Sequence, residues 1–181
     1  MAKQFDEITP DIRSWLSEQR MFFVATAPSS LTGLVNCSPK GMDTFRVLGP
    51  KEVGYVDLTG SGIETAAHLR ENGRLVIMFC AMQGPPKILR FHGFGEYCVP
   101  GSRGFEDVAG SFVLLPGTRG IIRCQVSRIS DSCGFSIPRY EFEEERDTLT
   151  RWAESKGADG LKTYHESKNA TSIDGLPGLP S

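Results

Sequence analysis

The chain of 181 residues predicts a mainly β protein with flanking helices, its strands mostly antiparallel and closing into a barrel. Three observations carry that expectation. Short aromatic and β-branched runs recur along the chain, each bounded by clusters of Gly, Pro, Asn or Ser. Residues 118–128 (TRGIIRCQVSR) alternate cleanly, with Ile122, Cys124 and Val126 inward and Arg123, Gln125 and Ser127 outward. Residues 87–97 (KILRFHGFGEY) place Leu89, Phe91, Gly93 and Gly95 on one face, and glycines there allow the strong bend that a barrel needs.

Taken in order, Thr9-Pro10-Asp11 reads as a capped helix start, and Ile12, Trp15 and Leu16 share one face of a helix ending near Gln19-Arg20. Residues 21–27 (MFFVATA) form a strand, 28–33 a turn, and 34–37 open a second strand that completes a hairpin. Pro39 removes a ladder donor, so the regular strand is expected to break there. Residues 42–48 are a short strand or an irregular excursion, and 53–58 (VGYVDL) a strand. A helix over 63–72 follows, with Ala66, Ala67 and Leu69 packed closely and Gly73 as its C-terminal cap. The almost unbroken apolar run 74–82 (RLVIMFCAM) predicts a strand buried on both faces. A short helix is expected around 105–108. Residues 140–156 read as a helix with Leu149, Trp152 and Ala153 on one side, interrupted at Gly157 and Gly160, before a last helix over 161–168. The remaining tail is too apolar for a free terminus and too rich in Gly and Pro for helix or strand, so it is expected to dock in extended form. The whole chain, 1–181, reads as one domain, with 140–181 as a helical and extended C-terminal tail.

Composition narrows the function. Twenty basic and twenty-two acidic residues leave a net charge of −2, which argues against broad nucleic-acid binding. No run of 18 apolar residues is present to span a membrane, and the first residues lack the apolar core of a secretory signal. Five cysteines without a CxxC pair fit free thiols in a reducing cytoplasm. His68, His92 and His165 show no metal-ligand spacing, and neither GxSxG nor a Walker-type phosphate loop occurs.

The most informative stretch is 35–62, VNCSPKGMDTFRVLGPKEVGYVDLTGSG. Asn36 to Gly41 is a polar segment with one cation, Lys40. Thr59-Gly60-Ser61-Gly62 precedes a helix start, whose free N–H groups and positive dipole end can hold a phosphate. Taken alone, such features are more often an ordinary turn and a surface charge. Cys37 beside Lys40 is either a thiol of lowered pKa or an inert one.

The ordered set MFFVATA…GLVNCSPKG, VGYVDLTGSG, IETAAHLREN, RLVIMFC and KILRFHGFGEY resembles the pyridoxamine 5′-phosphate oxidase-related flavoproteins, over roughly residues 22–128. The tail motifs CGFSIPRYEF, ERDTLTRWAE and KNATSIDGLPGL resemble one bacterial and fungal subgroup. The resemblance implies an FMN-binding split β-barrel, a homodimer, and FMN at the subunit interface. It implies cofactor contacts from Ser38, Pro39, Lys40 and Gly41, with Lys40 near the phosphate. It further implies a facing loop of Leu58, Thr59, Gly60, Ser61 and Gly62, and a helix start at Glu64 and Thr65. Arg90, Asn169 and Ser172 are candidates from the partner subunit; Arg90 could instead pair with Glu96, and Asn169 could cap a chain reversal. True pyridoxamine phosphate oxidases end in a segment with Arg-Leu-His-like residues that grips substrate. This chain ends in SIDGLPGLPS, so the resemblance carries the FMN site and not vitamin B6 oxidation.

The expected function is an FMN-dependent oxidoreductase acting on a small organic substrate, with flavin supplying the chemistry and no nucleophile or base required of the protein. The alternatives are an FMN carrier or sensor without turnover, and a split-barrel relative holding haem or a deazaflavin.

Overall fold

A computed structural model describes residues 3–179. Its centre is one eight-stranded sheet in which every pairing is antiparallel. The strands are β1 (Gln4–Phe5), β2 (Phe22–Thr26), β3 (Asn36–Lys40), β4 (Phe45–Gly49), β5 (Glu52–Leu58), β6 (Arg74–Cys80), β7 (Ile88–Cys98) and β8 (Thr118–Ser132). Their order is β3-β2-β6-β7-β8-β5-β4, with β1 paired to β8. Curvature brings the two ends of the sheet together through side chains: Phe22 of β2 and Phe45 of β4 stand 5.4 Å apart, and Phe45 lies 4.9 Å from Phe79 of β6. A sheet curled on itself, with its end strands joined by packing rather than by a ladder, is a split barrel.

Two glycines explain the curl. A register shift lies between His92 and Gly93, and a Cβ on Gly93 would stand 2.2 Å from the Gln125 carbonyl oxygen. A Cβ on Gly95 would press on Leu69 and Leu75 at 3.0 Å, so the bare backbone there lets a helix lie against the sheet.

Helix α1 (Pro10–Ser17) is capped by Thr9, whose hydroxyl accepts the Ile12 N–H, and it ends two residues before the expected limit. Its Ile12 and Leu16 close one mouth of the barrel over Val24, Tyr55, Ile77, Phe79, Leu89, Phe91 and Ile122. Helix α2 (Glu64–Asn72) packs on β2, β6 and β7 and stops at Gly73, whose φ of 73° is the left-handed cap that the sequence predicts. Helix α3 (Arg103–Ala109) covers the other sheet face, packing Phe105 and Val108 on Val56, Cys98 and Ile121. Helix α4 (Thr148–Lys168) is kinked at Gly157, with φ 62° and ψ 177°.

Three expectations are corrected. β3 does not break at Pro39 but runs through it to Lys40. It is an end strand, so the missing N–H faces away from its only ladder. β6 is buried on one face only: Leu75, Ile77 and Phe79 point into the barrel, while Val76 and Met78 are half-exposed outside it. Residues 140–147 are irregular rather than helical. Glu141, Glu144 and Glu145 would stack like charges one helical turn apart. The segment is instead tied down by the Tyr140 N–H on the Met82 carbonyl and by Arg20 over the Phe142 ring.

Candidate functional site

Strand β3 alternates. Asn36, Ser38 and Lys40 are half-buried on one face, while Cys37 and Pro39 are exposed on the other. Opposite the first face lies the start of α2. Asn36 joins the two: its Nδ2 donates to Thr65 Oγ1 at 2.9 Å and to Thr26 Oγ1 at 3.2 Å, and Ser38 Oγ donates to Asn36 Oδ1 at 3.2 Å. The α2 N-cap is Ile63, which brings no side-chain acceptor, so the first turn presents N–H groups without a cap. The line between β3 and the start of α2, the β3–α2 groove, thus carries Asn36, Ser38 and Thr65 in one hydrogen-bonded set, with Ser61 and Gly62 in the loop that leads into the helix. Glu64 turns away from an anion-holding role, since its carboxylate accepts the Ile173 N–H from the tail at 3.3 Å.

Deeper lies a charge cluster. Asp57, 2% exposed, accepts Arg119 Nε at 2.7 Å, Lys40 Nζ at 3.4 Å and the Tyr97 hydroxyl at 3.3 Å. Burial raises the carboxyl pKa, but the Arg119 and Lys40 charges outweigh it and leave Asp57 below its ordinary value. Burial and then the Asp57 charge push the Tyr97 phenol well up, keeping it a neutral donor. One carboxylate against two cations leaves a surplus positive charge, and Lys40 is the longer and more exposed of the two contacts.

The loop before α2 is held from behind. The Thr59 hydroxyl donates to the Gly117 carbonyl at 2.7 Å, so its lone pair receives His165 Nε2–H at 2.8 Å. The Gly60 carbonyl accepts from Arg119 at 3.2 Å and from Asn169 Nδ2 at 2.9 Å. Asn169, fully buried, also accepts Arg119 Nη1 at 3.0 Å and ends α4. The tail then folds back in a small loop: the Ser172 N–H meets the Leu176 carbonyl, and the Leu179 N–H meets the Asn169 carbonyl.

The residues singled out from sequence thus divide. Ser38 and Thr65 meet through Asn36 where β3 adjoins α2, Lys40 reaches Asp57, and Ser61 and Gly62 lie in the loop that leads into the helix. Thr59 and Gly60 are its scaffold, and Leu58 packs on the second core cluster. Pro39 points away, and the Gly41 carbonyl is committed to the Thr44 hydroxyl at 2.7 Å. Within its own chain Asn169 bonds Arg119 and the Gly60 carbonyl, and Ser172 closes the tail loop on Leu176. Arg90 donates to Ser132 Oγ at 3.0 Å rather than pairing with Glu96. Asn36, Asp57, Tyr97, Arg119 and His165 were not singled out. Asp57 had a signal: it is the one charge inside the apolar strand VGYVDL, and such a charge needs a buried partner.

No family profile matches the chain. A curated protein of Aspergillus flavus, described as pyridoxamine 5′-phosphate oxidase family protein ustO, is 36% identical over 195 residues, covering 98% of this chain and 78% of its own length. The chain belongs to the pyridoxamine 5′-phosphate oxidase family. Solved structures bear out the family fold. A putative pyridoxamine 5′-phosphate oxidase of Lactobacillus delbrueckii matches with a TM-score of 0.52 at 11% identity, over 70% of this chain and 98% of that one. HupZ of Group A Streptococcus matches with a TM-score of 0.51 at 22% identity, over 67% and 91%. Such distant likenesses speak for the family's barrel alone. Among the described residues, no helix is long and apolar enough to cross a membrane, and no three His, Cys, Asp or Glu side chains gather as metal ligands.

Proposed function

We propose that this family member binds FMN in the β3–α2 groove and uses it as an oxidoreductase on a small organic substrate. The carrying observation is an uncapped helix start tied through Asn36 to the Ser38 hydroxyl of β3, the strand that also carries Lys40. Those groups fit an anionic, polyhydroxylated cofactor: Lys40 supplies charge, and Ser61, Thr65 and the first-turn N–H groups supply donors. Flavin, once bound, provides the hydride or electron transfer. The chain's own part is to hold the phosphate, orient the ribityl chain through Ser38, and keep Lys40 poised against Asp57. The working unit is a homodimer with the flavin at the subunit interface, on the strength of the family resemblance, and the free thiols favour the cytoplasm.

The deciding experiment is the visible spectrum of the purified protein, with mass spectrometry of what heat releases, followed by anaerobic reduction with candidate donors. A flavin spectrum with the mass of FMN, bleached by a donor and restored by substrate, supports the reading. Bound FMN that no donor reduces makes the protein a carrier or sensor. Haem or a deazaflavin in its place overturns the FMN assignment, and a colourless protein that refuses added FMN overturns the flavin site itself.

A further inference from the structure

His68 of α2 is fully buried, and its two ring nitrogens face opposite duties. Nδ1 lies 2.9 Å from Thr26 Oγ1, while Nε2 has no hydrogen-bond partner and stands 3.9 Å from Asp174 Oδ2 in the tail. Asp174 in turn accepts the Leu34 N–H with both oxygens, at 3.2 and 3.1 Å. Through Thr26 the same histidine reaches the groove, because Thr26 Oγ1 receives Asn36, and Asn36 holds both Thr65 and Ser38.

We propose that His68 is a positioning residue that sets the hydrogen-bond polarity of the groove and anchors the C-terminal tail beside it. The groove half of this rests on the FMN reading; the tail half does not. Thr26 is buried and takes an N–H from Asn36, so its single proton goes to His68 Nδ1, the arrangement that leaves no hydroxyl proton without an acceptor. Nε2 therefore carries the ring proton and aims it at Asp174. On the other side, Asn36 gives its second N–H to Thr65 and takes the Ser38 proton. Thr65 is left with a proton to donate and Ser38 with lone pairs. The helix rim thus offers donors, suited to phosphate, and the strand rim offers an acceptor, suited to a hydroxyl or ring N–H of the cofactor.

Protonation reverses the first link. A charged imidazole donates from Nδ1, Thr26 then accepts twice, and its own proton loses its acceptor. Burial disfavours the charged ring, while Asp174 from the tail and Glu64 and Glu71 from its own helix favour it; burial prevails and the pKa lies below the ordinary value.

Two amide replacements separate the roles. Asn at 68 places an oxygen where Nδ1 stands and reaches no farther; Gln places its amide where Nε2 stands. The measurements are affinity for FMN and inorganic phosphate from pH 5 to 8, and backbone amide exchange at Leu34 and Ile173. In His68→Asn, affinity at pH 7.5 should match wild type, the steeper wild-type loss at low pH should shrink to that of the ligand's own titration, and exchange in the tail should quicken, because no N–H then faces the Asp174 carboxylate. In His68→Gln, affinity should fall by about tenfold at every pH while tail exchange stays slow. Asp174→Asn, less buried and remote from the fold's core, should quicken exchange with affinity intact. Equal losses in the Asn and Gln variants, or a wild-type pH profile in His68→Asn, overturn the proposal. If wild type binds neither FMN nor phosphate, the cofactor reading falls, and unchanged tail exchange in His68→Asn and Asp174→Asn would overturn the anchor by itself.

Discussion

Asp57 sits between Arg119 and Lys40 in a place where water cannot reach it, and that fixes how each of the three responds to substitution. Removing Arg119 as Arg119→Met strands a buried carboxylate, a loss on the order of 3–5 kcal/mol that a denaturant melt will show. Lys40→Ala leaves the stronger Arg119 pair in place. It should cost less stability than the loss of Arg119, because the closer guanidinium still holds Asp57, while FMN affinity falls sharply; equal FMN retention would remove Lys40 from the phosphate. The sign of the acid response follows from the same cluster. A carboxyl held below its unfolded value stabilises the fold above about pH 4 and ceases to do so as pH falls further. At this scale the sequence was half legible. Lys40, Ser38 and Thr65 could be named because a lone cation, hydroxyls and a helix start are visible as residue types. Arg119 could not, since it lies 62 positions from Asp57 and meets it only through the β5–β8 ladder.

Among elements, the ones that followed a local rule were readable and those decided by neighbours were not. Helices α1 and α2 carry their own punctuation in Thr9-Pro10 and Gly73, and β8 its own alternation. Residues 140–147 have helical composition but are held out of a helix by Met82 and Arg20, which no local window contains. The histidines of α2 and α4 give an element-level prediction. Burial lowers the pKa of His68 and His165, so the unfolded chain takes up protons below about pH 6.5 that the fold refuses. Melting temperature should therefore decline between pH 7 and pH 5, while the carboxylates are still mostly ionised, and more shallowly in His68→Asn; a flat curve over that range would show that these rings are charged in the fold. Deleting residues 169–181 removes Asn169 from Arg119 and from the Gly60 carbonyl. Loss of flavin retention or of the dimer, by gel filtration with absorbance, is the expected result.

For the molecule as a whole, the barrel depends on backbone kept bare. Gly93→Ala would set a methyl 2.2 Å from the Gln125 carbonyl oxygen, and relief requires the β7–β8 ladder to part at its bulge. A loss of about 1–3 kcal/mol is expected in a thermal or urea melt. The fold class was legible because its strands are short and well bounded, whereas the order β3-β2-β6-β7-β8-β5-β4 was not, since it is set by pairings across the whole chain. The two sheet ends also differ in what they offer another molecule. β4 ends the sheet with ordinary residues, but β3 ends it with Pro39, so a foreign strand laid along that margin meets a gap in the row of donors. Pro39→Val would fill the gap beside exposed Leu34 and Val35. The folded barrel would keep its melting temperature, yet concentrated solutions would turn turbid sooner, because the substitution turns a closed margin into a template for growth.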